Sequence, residues 1–327
     1  MWYLQQPTKK ELDDYVRDMS AKIKATRAYN IIKPFFECNV NGRRHDYVDE
    51  LLRALPQDQL ALNSQLESQL YPDPNNILGN DYIRKKVHSA FNYDRFISQD
   101  ADFSYALSKV KKINACPYCN RQYTLTIEKK TRAGVVVAHI AKPHFDHWFA
   151  KSTFPLLALS FYNLIPSCAV CNSSIKGNKM MALNDHVHPY CQQAGYEPHF
   201  KFRLLFKGAK DYELYMSKSI FPAEEQMKED FFIEDAYRYH EDLEIADLVN
   251  LYLAHEGTYL KKWMKDILKD LQPEKSLSEI VRMVFGAEID AAKLKNRPLS
   301  KLKKDLLEQF YIIDENGNVH PELMSGF

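Results

Sequence analysis

The sequence predicts an α+β protein, a mainly helical chain with a small cysteine-bearing β/α unit at its centre. Three observations carry that reading. Apolar residues recur at helical spacing towards both ends, β-rich runs interrupt them near the middle, and two Cys-x-x-C pairs bracket that middle. The 327 residues are 45% hydrophobic and 13% aromatic, enough for a packed core and for two or three domains. The expected organisation is a helical region over 1–103, a cysteine-bracketed centre over 104–193, and a C-terminal region over 194–327. The last opens on a short hairpin and continues mostly as helix.

The elements follow from local chemistry. In "TKKELDDYVRDMSAKIKA", Thr8 and Glu11 form a capping box ahead of Leu12, Tyr15, Val16, Met19 and Ile23 at helical spacing. "DYVDELLRAL" before Pro56 and "NDYIRKKVHSAF" read as helices, with "YPDPNN" a turn between them. After Lys112 the period changes, and "QYTLTIEKKTRAGVVVAHI" reads as a β-hairpin whose charged turn ends at Gly134. "HFKFRLLFKGAKDYELYM" reads as a second hairpin. Leu248, Leu251, Tyr252, His255, Tyr259, Trp263 and Ile267 then trace an apolar helical stripe that suits core before a partner surface. A last helix runs through "PLSKLKKDLLEQFYII".

Six cysteines are too few for a disulfide framework, and four of them pair as Cys116/Cys119 and Cys168/Cys171 across forty-eight residues. Two such pairs complete a closed tetrahedron around a structural Zn²⁺. A redox Cys-x-x-C would need no second pair, and a coincidence of buried thiols would seldom produce two. Cys38 reads as an ordinary buried thiol. The N-terminus lacks an apolar signal region, and no run approaches the length of a membrane span. The expectation is a cytoplasmic protein with no membrane partner.

Charge is uneven. Between Ser104 and Ala182 eleven Lys or Arg face only Glu128 and Asp146, a net +9 within a chain that totals +1. A basic middle flanked by acidic regions suits a polyanion, although a solvated basic face has the same composition.

Inside the bracket the order of residues becomes specific. Asp146 and His147 are adjacent, Asn163 follows sixteen residues later, and Asn172 comes directly after Cys171 in "CAVCNSSIKGNK". This order resembles the zinc-containing branch of the HNH endonucleases, the ββα-metal or His-Me finger group, over roughly Cys116 to Lys179. The "K-S-x-F-P-x-L-A-L…N-L-I-P-S-C-x-x-C-N" form is further similar to HNH subunits of bacterial anti-phage systems of the Septu type, where a nuclease works beside an ATPase. The chain departs from the usual form after Asp-His, where Trp148-Phe149-Ala150 lacks the family's proline.

The resemblance implies a metal-dependent endonuclease that hydrolyses phosphodiester bonds, in DNA before RNA, with an ATPase as a candidate partner. His147 would be the general base, its neutral imidazole suited to that task near pH 7. Asp146 and Asn172 would hold a catalytic Mg²⁺ or Mn²⁺. Asn163 would pin the loop behind His147, and Lys176, Lys179 and Arg121 would bind flanking phosphates. His144 is a further candidate for metal or phosphate, and His186, His188 and Cys191 are a weaker cluster for a second metal. Two other readings stay open: a nuclease acting on RNA, and a zinc module that binds nucleic acid or protein without cutting.

Overall fold

The first helix starts where its capping residues place it. Thr8 Oγ1 accepts the Glu11 N–H, the Glu11 carboxylate accepts the Thr8 N–H, and the helix runs Lys9–Lys24. Its Tyr15, Val16, Met19 and Ile23 are buried, as the spacing requires. In this computed structural model the chain is described over residues 2–40, 43–208, 211–253, 258–271 and 274–321. His255 lies outside the described residues, as do the side chains of Cys38 and Tyr259.

About half of the described chain is helical, and the strands pair as four separate antiparallel ribbons, so the class is α+β. The ribbons are β1 (Glu37–Val40) with β2 (Arg43–Asp46), β3 (Ile127–Lys130) with β4 (Val136–Ala141), β5 (His144–His147) with β6 (Leu164–Ser167), and β7 (Phe202–Phe206) with β8 (Tyr212–Met216). Both expected hairpins form, as β3–β4 and β7–β8, and the turn of the first has Gly134 at φ +81°, a region open to glycine.

Other elements differ from the sequence reading. The helix read before Pro56 forms as Tyr47–Arg53, and Pro56 then opens a further helix absent from that reading, Pro56–Leu70, at the first-turn position where its missing N–H costs nothing. The helix Arg27–Phe36, with Pro34 inside, also has no counterpart in the sequence reading. β1–β2 has no counterpart in the sequence reading either. A continuous buried core takes Trp2, Tyr29 and Leu66 from the N-terminal region, Tyr118 and Trp148 from the centre, and Tyr237, Leu306 and Ile313 from the C-terminal region. Among the described residues no helix is long and apolar enough to cross a membrane.

The candidate metal centre and its cleft

The Cys116–Cys119 loop turns tightly because Asn120 adopts φ +52° and returns its N–H to the Cys116 carbonyl at 2.9 Å. Cys168 follows β6 directly, and Cys171 lies in the short π-helical turn Val170–Lys176. These elements bring the four buried thiols together, with their sulfurs within 4.8 Å of one another and the Cys119–Cys168 pair at 4.0 Å. Tetrahedral zinc with bonds of about 2.3 Å would set its sulfurs about 3.8 Å apart, so the cluster has the size and chemistry to hold such an ion. Backbone N–H groups of Arg121, Cys168 and Cys171 each lie 3.4 Å from a cluster sulfur. These contacts favour thiolates.

Distant parts of the chain converge on this loop. Trp2 donates its backbone N–H to the Pro117 carbonyl and its Nε1–H to the Tyr118 carbonyl. The Tyr237 hydroxyl donates to the Cys119 carbonyl, and the Asn120 amide reaches the Leu294 and Arg297 carbonyls. The loop is thus braced from both ends of the sequence.

Beside the cluster lies an open cleft of about 610 Å³ whose walls include Asp146, His147 and Asn172. β5 supplies the first two and the Val170–Lys176 turn the third. Asp146 is buried; its Oδ2 accepts the Tyr118 hydroxyl at 2.6 Å and its Oδ1 stands 3.2 Å from Lys176 Nζ. Burial raises its pKa above the ordinary carboxylate value, against the pull of Lys176 and Tyr118. Asn172 is half-buried, with its Nδ2 on Ser173 Oγ at 3.2 Å.

The His147 ring meets the edge of Tyr93 at 4.4 Å between centroids, and its Nε2 is 3.0 Å from the Ala158 carbonyl. A carbonyl only accepts, so Nε2 carries the hydrogen and Nδ1 keeps the lone pair. Burial first, then the cations Lys151 and Lys176, push its pKa down to about 3. The expectation of an imidazole tuned near pH 7 therefore does not hold for the unliganded chain: the ring is neutral there but holds a proton poorly. Asn163 is fully buried, accepting the Phe149 N–H and donating to the Phe149 and Leu157 carbonyls, and so ties down the loop that follows His147.

The three cations assigned to phosphates are engaged elsewhere. Lys176 is buried and donates to the His147 carbonyl as well as facing Asp146. Lys179 bonds Asp230, and Arg121 donates Nε–H to His240 Nε2 at 3.0 Å. The basic middle is likewise mostly paired: Lys109 and Lys130 with Glu128, Lys112 with Glu11, Lys151 with Asp94. Three acids from outside the segment, Glu11, Asp94 and Asp230, take up Lys112, Lys151 and Lys179, while Lys129, Arg132 and Lys142 meet no acid among the described residues. The cleft's own cations are Lys142 and Lys151, with exposed His144 beside them. Neither lysine stood out in the sequence, nor did Tyr93, which arrives from the N-terminal region. Tyr118 lies between the first two cysteines, and that adjacency was the available signal for its contact with Asp146.

His186, His188 and Cys191 do not gather. His186 Nε2 meets Asp230, His188 is buried against Trp148, and Cys191 is exposed. Among the described residues the four cysteines are the one group of three or more metal-ligating side chains close enough to share an ion. Comparisons of the chain with protein-family models, with curated proteins and with solved structures found no match.

Proposed function

We propose that the chain is a metal-dependent endonuclease of the HNH type, hydrolysing phosphodiester bonds in DNA. One observation carries the reading. A strand–strand–helix unit, β5, β6 and Val170–Lys176, brings Asp146, His147 and Asn172 to one open cleft directly beside a closed four-cysteine cluster. In this reading that unit is the ββα-metal core, and zinc in the cluster is scaffold, because four thiolates leave it no open position.

A scissile phosphate in the cleft would lie near Lys142, which would offset its charge, and near Lys151, which is already paired with Asp94. His147 would accept the proton of the attacking water at Nδ1, while the Ala158 carbonyl holds Nε2–H and with it the tautomer. A phosphate anion beside the ring would raise its proton affinity from the low value of the empty site. Asn163 would keep the ring's supporting loop in register.

Asp146 and Asn172 offer hard oxygen donors suited to Mg²⁺ or Mn²⁺, since each Asp146 oxygen retains a lone pair and Asn172 engages only its amide nitrogen. Mg²⁺ keeps several waters and needs only one or two protein oxygens. Such an ion would stabilise charge on the phosphate and the leaving 3′ oxygen.

A second reading has its own support. Lys176 already faces Asp146 and partly neutralises it, as expected of a zinc-bearing binding module without hydrolysis.

The test is cleavage of supercoiled plasmid, single-stranded DNA and RNA with Mg²⁺ or Mn²⁺, comparing wild type with His147→Ala. Metal-dependent cutting of DNA that vanishes in the variant supports the nuclease. Cutting confined to RNA changes the substrate. Cutting that survives in His147→Ala removes its role as base. If both proteins bind DNA and neither cuts, alone or with the products of neighbouring genes, the module reading stands.

A further inference from the structure

Apart from the cleft, a groove of about 720 Å³ is lined by three lysines, Lys112, Lys293 and Lys295, together with Gln5, Asn114 and Asn296. No acidic side chain is among its lining residues. Lys112 and Lys293 each meet one acid, Glu11 at 2.6 Å and Asp290 at 3.5 Å. Lys295 differs. It is 9% exposed, its Nζ lies 3.3 Å from the neutral Gln5 Oε1 and 5.1 Å from the centre of the Tyr3 ring, and among the described residues it pairs with no acid. A buried ammonium without a counter-charge is costly, and Lys112 adds repulsion. Its backbone is held in place: the Ala115 N–H donates to the Lys295 carbonyl at 2.8 Å, and the Asn120 amide to the neighbouring Leu294 carbonyl at 3.0 Å.

We propose that this groove binds a phosphate group, with Lys295 as the central cation and Lys112 and Lys293 at its sides. An incoming anion supplies the charge that Lys295 lacks. The amide groups of Asn114 and Asn296 add neutral donors, a combination suited to phosphate oxygens. The volume falls in the range of small-molecule sites. The group can come from a free phosphate ester or from a nucleic-acid backbone, and both present the same chemistry. The proposal does not depend on nuclease activity.

The test is thermal unfolding of the zinc-loaded full chain with inorganic phosphate, against chloride at equal ionic strength, for wild type, Lys295→Met and Lys293→Gln. Phosphate is expected to raise the wild-type Tm, and Lys295→Met to weaken phosphate binding about tenfold or more. Lys293→Gln changes an exposed side chain, keeps the fold, and should give a smaller loss. Failure of phosphate to raise the wild-type Tm, or an equal rise in wild type and Lys293→Gln together with Lys295→Met, overturns the site. Binding of a short DNA oligonucleotide without added divalent ion separates the two sources. Competition by phosphate in wild type, lost in Lys295→Met, assigns the groove to a nucleic-acid backbone, and its absence in wild type assigns it to a free phosphate ester.

Discussion

Two antiparallel ribbons follow one another between the cysteine pairs, and their fates are opposite. β3–β4 is exposed along nearly its whole length, with Val137 and Ile140 at 54% and 60% exposure, and its register is broken twice by bulges. β5–β6 pairs without a break from His144↔Ser167 to His147↔Leu164, and only His144 is exposed. The first ribbon would look the better strand pair by composition, since valine and isoleucine favour strands. The second contains Asp, two His and a Pro, yet it is the buried one. Burial here follows from what surrounds the strands. The cysteine cluster closes one end of β6, Asn163 ties the connecting loop, and Lys176 covers Asp146 from the following turn. Asp146, His147 and Asn163 sit inside with hydrogen-bond partners, whereas the buried Ser167 hydroxyl has none among the described residues.

The comparison can be broken most severely at the four-cysteine cluster. Cys168→Ser should abolish stoichiometric zinc and cost the largest share of stability, because binding a structural zinc supplies folding free energy on the order of 10 kcal/mol. Metal content and hydrogen exchange check it: exchange in β5–β6 should rise steeply, while β3–β4, already exposed, changes little. Full protection of β5–β6 without zinc would assign its burial to packing alone.

Lys176→Met comes next. It leaves Asp146 buried with only the Tyr118 hydroxyl, and should cost about 3–5 kcal/mol in chemical denaturation. Adding Asp146→Asn should recover most of that loss. A double variant no more stable than the single one would mean that the two side chains are not energetically coupled.

A third effect concerns His188, which packs on Trp148 just after β5. Burial, reinforced by Lys111, pushes its pKa down to about 3, below the unfolded value of about 6.5. Between those values the unfolded chain binds the proton and the folded chain does not. Stability from this group is therefore complete above about pH 6.5 and falls as the pH drops through that window, by up to about 1.4 kcal/mol per pH unit. Denaturation at stepped pH should show a shallower dependence for His188→Phe. Parallel curves for the two proteins would place the proton elsewhere.

The smallest effect belongs to the exposed ribbon. Lys129→Ala lies on β3, pairs with no acid among the described residues, and should change stability by no more than about 0.5 kcal/mol. A larger loss, seen in thermal melts, would show that Lys129 adds to the contacts Lys109–Glu128 and His139–Asp102 that tie β3–β4 to the preceding helix.

Much of this could be read from residues alone, wherever the determining contacts are local. The Thr8–Glu11 capping box, the Gly134 turn and the apolar spacing of the first helix depend on neighbours a few positions away, and each appears where expected. The cysteine spacing also announced its cluster, because sulfur chemistry leaves few other uses for two such pairs. Two helices that contain proline, Arg27–Phe36 with Pro34 and Pro56–Leu70, were not read from the sequence.

By itself, the sequence determined the α+β class, the hairpins β3–β4 and β7–β8, and the four-cysteine group. Only the tertiary structure decided which charges are free. It buried Lys176 against Asp146, drew Asp94, Glu11 and Asp230 onto lysines of the basic middle, brought Tyr93 to His147, and left Lys295 without an acid among the described residues. The reason is physical. Turns and helices are set over a few residues, whereas the cost or gain of a charge depends on every group packed around it, however distant in the chain.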